Sequence, residues 1–271
     1  MKTYCENELK GNKCSAFWQS MAKHYPLPFD DRMFATTQSV LSLVRSKGVT
    51  FHNSEILDIA CGTGIYTLPL AREAAMVTGL DDSEAMIDRM KNVMQAEGIQ
   101  NVRPVRASWK DVDIAAQGFE KAFDIVWVSM TPAVKTAEDF DLIEKCAVKW
   151  CVFIGWGRKR KNILMEEIFH LHDIPYGPPR NVERTYDILM ESGRKPSSDY
   201  FDTSYIWKGT RSEALENIAL RIEMQGGTPR HDLIKKSLDR YDHDGLIYHV
   251  TDVEQRVMVW SVKNVKAGVP E

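Results

Sequence analysis

The residues of this chain whose types and spacing could do chemistry are two acids with a glycine turn between them. The stretch Ile56–Leu70 reads ILDIACGTGIYTLPL. An apolar strand delivers Asp58 to its C-terminal edge. The turn Ala60-Cys61-Gly62-Thr63-Gly64 follows, and a helix starts at once. Small residues here let a ligand approach the backbone, and glycine permits the tight bend. The amides at the helix N-terminus favour negative charge. Nineteen residues after Gly62, Gly79-Leu80-Asp81-Asp82-Ser83 puts a second acid at the end of the next strand. A carboxylate there can accept hydrogen bonds from both hydroxyls of a ribose. The same logic serves dinucleotide enzymes, so spacing alone does not separate the two. The turn, however, is not G-x-G-x-x-G, and Asp58 precedes it. That carboxylate would repel a pyrophosphate and attract an ammonium group.

These residues need a scaffold that aligns strand ends, and the sequence describes one. Glu55–Ala60, Met76–Leu80, Val102–Arg106, Phe123–Ser129 and Trp150–Trp156 read as five strands. Helices are expected at Ile65–Ala75, Ser83–Glu97 (capped by Ser83) and Thr136–Val148. Strands alternating with helices of this length imply a mostly parallel sheet covered on both faces. In such sheets the crevice at the strand ends is the ligand site. Upstream, Ser15–Tyr25 reads as an amphipathic helix stopped by Pro26 and Pro28. A second helix, capped by Asp30, runs to about Lys47. From Gly157 to Gly245 the rhythm breaks into helical stretches near Ile163–His172, Val182–Glu191, Ser212–Met224 and Asp232–Tyr241, with an aromatic stretch at Tyr200–Trp207. Two β-like runs, Leu246–Val250 and Gln255–Val262, end the chain. The expected organisation is a Rossmann-like domain of residues 1–156 and 246–271, a seven-stranded α/β sheet, with 157–245 inserted as a helical, aromatic cap over the substrate.

LDIACGTG followed by GLDDSEAM resembles the first two motifs of class I S-adenosylmethionine (SAM)-dependent methyltransferases. The resemblance covers roughly residues 15–156 and the final strands. It implies that Ala60, Gly62 and Gly64 line the methionine moiety of SAM, with Asp58 near its amino group. It implies further that Asp81 holds the ribose and that Asp82 and Met86 flank the adenosine. Ala107, Ser108 and Trp109 match the segment that meets the adenine, and Ser129 the position beside the methionine after strand four. The pattern F-W-x-x-M-A-x-x-Y at 17–25 is similar to an N-terminal segment of small-molecule members, in which the tyrosine, here Tyr25, closes over SAM. Ala60 and Ser108 depart from the family's usual glycine and aspartate. The implied activity is methyl transfer from SAM to a small molecule, with S-adenosylhomocysteine (SAH) as product. The alternatives are an RNA or protein acceptor, or SAM binding without transfer.

Bulk properties narrow the remaining choices. The chain has 271 residues, 44% of them hydrophobic, enough for a sizeable core. A net charge of −3 argues against a nucleic-acid partner. Five cysteines without a CxxC pair suit a reducing, cytoplasmic setting. No apolar run is long enough to cross a membrane. His170 and His172 could belong to a metal site, but no second pair stands at ligand spacing, and no metal is expected. Arg158–Lys161 could attract an anionic substrate or form a solvated turn. Asp239, Asp242, His243 and Asp244 read as a polar turn.

Overall fold

The computed structural model of the protein describes residues 17–19, 21–178 and 182–262. The strand β1 (Glu55–Ile59) is buried on both sides after its first residue. Ile56 packs on one face with Val77, Ile125, Trp127 and Val152. Leu57 and Ile59 pack on the other with Val126, Val128, Cys151 and Phe153. A strand apolar on both faces requires cover on both. The period of two also places Asp58 on the Ile56 face.

Four strands run parallel beside β1: β2 (Met76–Asp81), β3 (Val102–Arg106), β4 (Phe123–Ser129) and β5 (Ala147–Lys161). Two long strands, β6 (Ser197–Thr210) and β8 (Leu246–Ser261), complete the sheet in antiparallel pairing, and the two-residue β7 (Asp242–His243) joins β8. The order is β3-β2-β1-β4-β5-β8-β6. The long strands number seven, as expected, but β6 takes the place of one expected terminal run, and β7 is a short addition. The helices are α1 (Asp31–Ser46), α2 (Thr67–Ala71), α3 (Glu84–Ala96), α4 (Ala137–Cys146), α5 (Ile163–Leu171), α6 (Val182–Glu191), α7 (Arg211–Met224) and α8 (His231–Leu238). Val40, Leu41 and Val44 of α1 cover the Ile56 face. Phe140 and Ile143 of α4 cover the other. Complete burial of such side chains stabilises by about 1.5–3 kcal/mol each.

Several elements differ from the sequence expectation. The aromatic stretch within 157–245 is the edge strand β6, paired along its whole length with β8. The two expected terminal runs are one 16-residue strand. Its acidic middle reads as a break, but Glu254 is satisfied across the pairing by Arg158 and Lys159. The helix expected over Ile65–Ala75 contracts to the five residues of α2, because the preceding segment is spent on the turn. Asp30 stands at the N-cap of α1, yet its carboxylate accepts from the Leu27 amide instead of capping the helix. The helix expected at Ser15–Tyr25 starts outside the described residues and ends in a 3-10 turn, Ala22–His24.

The sheet is taller on one side. The end of β4, Ser129, is level with Ile154 of β5 and through it with Val257 of β8. Strands β5, β8 and β6 continue beyond that level. Helices α5, α7 and α8 pack on the continuation through Leu164, Ile168, Ile218, Ile222, Ile234 and Leu238, around Trp207 and Ile247. No helix among the described residues is long and apolar enough to cross a membrane.

Candidate active site

The turn after β1 is held in left-handed backbone. Ala60, Gly62 and Gly64 have φ of 59°, 56° and 86°. The Cys61 amide donates to Leu80 O at 3.0 Å, which ties the turn to β2. The Gly62 amide donates to Asp81 Oδ2 at 2.8 Å, and the Ser83 amide donates to Asp81 Oδ1 at 2.9 Å. One carboxylate thus fixes the turn after β1 and the start of α3. Each of its oxygens keeps a lone pair for another donor. Ser83 also caps α3, its Oγ accepting from the Met86 amide at 3.3 Å.

Asp58 is 1% exposed. Its Oδ2 accepts from Thr67 Oγ1 at 2.6 Å, while Oδ1 is buried without a hydrogen-bond partner. Burial pushes its pKa up to about 7, opposed by the Thr67 bond and reinforced by the charge of Asp81. Burial also raises Asp81 to about 6, moderated by the amides of Ser83 and Gly62. A buried acceptor with nothing donating to it is a place for an N–H group. An ammonium would supply both the donor and the countercharge.

A cavity of about 920 Å³ opens in front of the turn. Tyr25, Ala60, Gly62 and Ser129 line it, and Asp81 is bonded to the turn through the Gly62 amide. The segment carrying Tyr25 is folded over the turn by Thr63, whose Oγ1 donates to Pro26 O at 2.7 Å. Tyr25 comes close enough that a Cβ on Gly62 would lie 3.8 Å from its Cε1. Burial, then the charge of Asp81, pushes the Tyr25 phenol up to about 12, so it stays a neutral donor. Other sequence-predicted residues do not reach the cavity wall. Gly64 is packed beneath the turn against Met90 and Leu68. Met86 is buried with Phe17 and Met21. Asp82 is exposed. Ala107 and Ser108 follow β3, and Trp109 is buried in the core on the α4 side.

The sequence of residues 56–147, from β1 to the start of β5, matches the methyltransferase-domain family. That segment is a methyltransferase domain. A stretch of 74 residues is 34% identical to the 23S rRNA (uracil(1939)-C(5))-methyltransferase RlmD of Aeromonas salmonicida, covering 27% of this chain and 17% of that protein. A stretch of 78 residues is 31% identical to a ubiquinone biosynthesis O-methyltransferase of Coxiella burnetii, covering 29% of this chain and 31% of that protein. The chain therefore spans less than a third of the length of either relative. The fold is similar to the crystal structure of a protein from Bacillus halodurans C-125 assigned as a methyltransferase. That match has a TM-score of 0.52 at 15% identity and covers 84% of this chain and all of that one.

The site includes residues that motif reading missed. Thr67, nine positions after Asp58, was legible as a hydroxyl in the first turn of the following helix. Tyr66, Tyr205, Arg221 and His249 line the cavity from four separate elements, and no local motif joins them. Gln255 Nε2 donates to the hydroxyl of half-buried Tyr205. The other candidates have structural partners. His172 Nδ1 lies 2.7 Å from Ile168 O, and its Nε2 accepts from the Arg230 amide at 2.9 Å. No cluster of metal-ligating side chains exists among the described residues. Arg158 and Lys159 pair with Glu254, and Arg160 stacks on Trp156 and Tyr176. Asp239 and Asp242 pair with Arg211. Cys61, Cys146 and Cys151 are buried free thiols.

Proposed function

We propose that this protein is a SAM-dependent methyltransferase that methylates a small molecule beneath the cap formed by α5, α7 and α8. One observation carries the reading: the β1 turn, preceded by Asp58 with its unpartnered Oδ1, opens into a cavity lined by both the methyltransferase domain and the cap. At about 920 Å³ the cavity is at the upper end of ligand pockets, which suits two molecules side by side. The residues present fit SAM. Asp58 would meet its ammonium, Ala60 and Gly62 its amino-acid backbone, Asp81 its ribose, and Tyr25 would close over it. When bound, SAM supplies an electrophilic methyl group on a sulfonium.

The protein's part is then to bind, orient and exclude water. Aligning two reactants can lower a barrier by about 7–11 kcal/mol. Tyr25, Tyr66 and Trp207 supply apolar walls that keep solvent from the transfer. An RNA acceptor would need an extended basic groove, and the candidate run 158–161 is engaged in ion pairs and ring contacts instead.

Calorimetric titration with SAH tests the assignment. Asp81→Ala removes the ribose acceptor, and hydrogen bonds to a charged group contribute about 1.5–3 kcal/mol. Affinity should fall by roughly tenfold to a hundredfold. Unchanged affinity would remove Asp81 from the donor site. Labelled SAM offered with total RNA and, separately, with a small-molecule extract should transfer label only to the extract; label on RNA would reverse the choice of acceptor.

A further inference from the structure

The end of the cavity where the Tyr25 segment meets the cap is built to hold an anion. Arg221 of α7 lines it. Its Nε donates to Asn217 Oδ1 at 2.8 Å, and Asn217 is itself buried with its amide on Met21 Sδ. The stem of the arginine is therefore fixed. Among the described residues no carboxylate lies within ion-pair reach of Arg221, whereas Arg158, Arg194 and Arg211 are each paired. The wall as a whole carries Lys135, Arg160, Arg184 and Arg221 against one acid, Glu191, which pairs with Arg184. This cationic lining sits in a chain of net charge −3.

His249 of β8 shares this end. Asn162 Oδ1 accepts from the Met165 amide at 3.0 Å, which fixes the orientation of its carboxamide. Its Nδ2 therefore donates to His249 Nδ1 at 2.9 Å, and the imidazole proton resides on Nε2. The ring lies flat on Trp207, with centroids 5.4 Å apart and planes within 7°. Burial, then the charge of Arg221, lowers the His249 pKa to about 4, so the ring is a neutral donor and not a base. His249 lies before Val257, the β8 residue level with the end of β4, and the Tyr25 segment reaches its level through His24, whose ring is 5.5 Å from that of Trp207.

We propose that the methyl acceptor is a flat, largely apolar molecule bearing a carboxylate, which Arg221 grips while His249 Nε2–H donates a second bond and Trp207 flanks the ring. A planar guanidinium matches a carboxylate in two parallel hydrogen bonds. The proposal rests on the reading that SAM occupies the β1 turn, and the test separates the two. Protein saturated with SAH is titrated with naphthalene-2-carboxylate and with its uncharged carboxamide. The carboxylate should bind at least tenfold more tightly. Arg221→Gln should abolish that preference while SAH affinity changes less than twofold, and Arg221→Lys should keep part of it. Equal binding of the two probes by the unsubstituted protein, or no binding of the carboxylate, overturns the proposal. Loss of SAH affinity in Arg221→Gln assigns the arginine to the donor's own carboxylate and overturns it equally. Failure of the unsubstituted protein to bind SAH overturns the donor reading on which it rests.

Discussion

Two glycines of one turn should respond to the same substitution in opposite ways. Gly62 and Gly64 both have positive φ, where a Cβ costs about 1–2 kcal/mol. At Gly64 the added methyl would meet Met90 Cγ at 2.8 Å and Leu68 Cγ at 3.0 Å, both inside the core. Overpacking of this kind costs about a further 1–3 kcal/mol. Gly64→Ala should therefore destabilise by about 2–5 kcal/mol, which for a chain of this size lowers Tm on the order of 10 °C. At Gly62 the methyl would meet Tyr25 Cε1 at 3.8 Å, an ordinary contact. Gly62→Ala should cost only the backbone strain, about 1–2 kcal/mol and a few degrees. Its methyl, however, intrudes between the turn and Tyr25, where the donor's amino-acid part is proposed to lie. SAH affinity should fall at least tenfold. Thermal unfolding and calorimetric titration of both variants decide the matter. Should Gly62→Ala bind SAH as tightly as the parent, the turn does not cradle the donor. Should Gly64→Ala unfold no earlier, the packing beneath the turn is not as described.

Three further outcomes are expected. Asp58 has a pKa near 7 in the folded chain and about 4 unfolded, and Asp81 near 6 when folded. At these two positions the folded chain then holds protons that the unfolded chain has lost, so their contribution to stability is greatest below pH about 4 and declines as pH rises toward 7. An ammonium bound beside Asp58 favours its ionised form, so SAH binding at pH 6 should release protons; equal heats in two buffers of different ionisation enthalpy would count against this. Asn162→Ala removes the α5 cap and the partner of His249, and should cost about 1–2 kcal/mol in urea unfolding. Arg194 is buried and pairs with half-buried Glu144 and exposed Asp141, and Trp260 Nε1 also donates to Glu144. Arg194→Ala should destabilise by about 3 kcal/mol, and an unchanged urea midpoint would show that the cluster contributes little.

The methyltransferase half was legible because its signals are local. Five strands with helices between them and an acid at two strand ends are written within about a hundred consecutive residues. Asp58, Gly62 and Asp81 meet as that order implies, and the link between Gly62 and Asp81 spans 19 positions. The other half depends on pairing that no local pattern reveals. Tyr200–Trp207 is a half-buried edge strand whose mixture of polar and aromatic residues resembles a loop, and only register with β8 makes it sheet. The acids of β8 look like a turn until Arg158 and Lys159 are set opposite Glu254. Arg221 and His249 are 28 positions apart, on a helix and a strand, so the cavity end they share is a property of the tertiary structure alone.

Because β8 belongs both to the central sheet and to the platform under α5, α7 and α8, the upper storey has no joint of its own. It stands on a girder that runs through the floor, and a swing of the roof would have to break pairing along β5 or β6. The short front segment around Tyr25 is held differently, by the side-chain bonds of Thr63 to Pro26 and Lys23 to Glu213, so this stretch of the cavity's wall can be loosened by single substitutions while the girder stays whole.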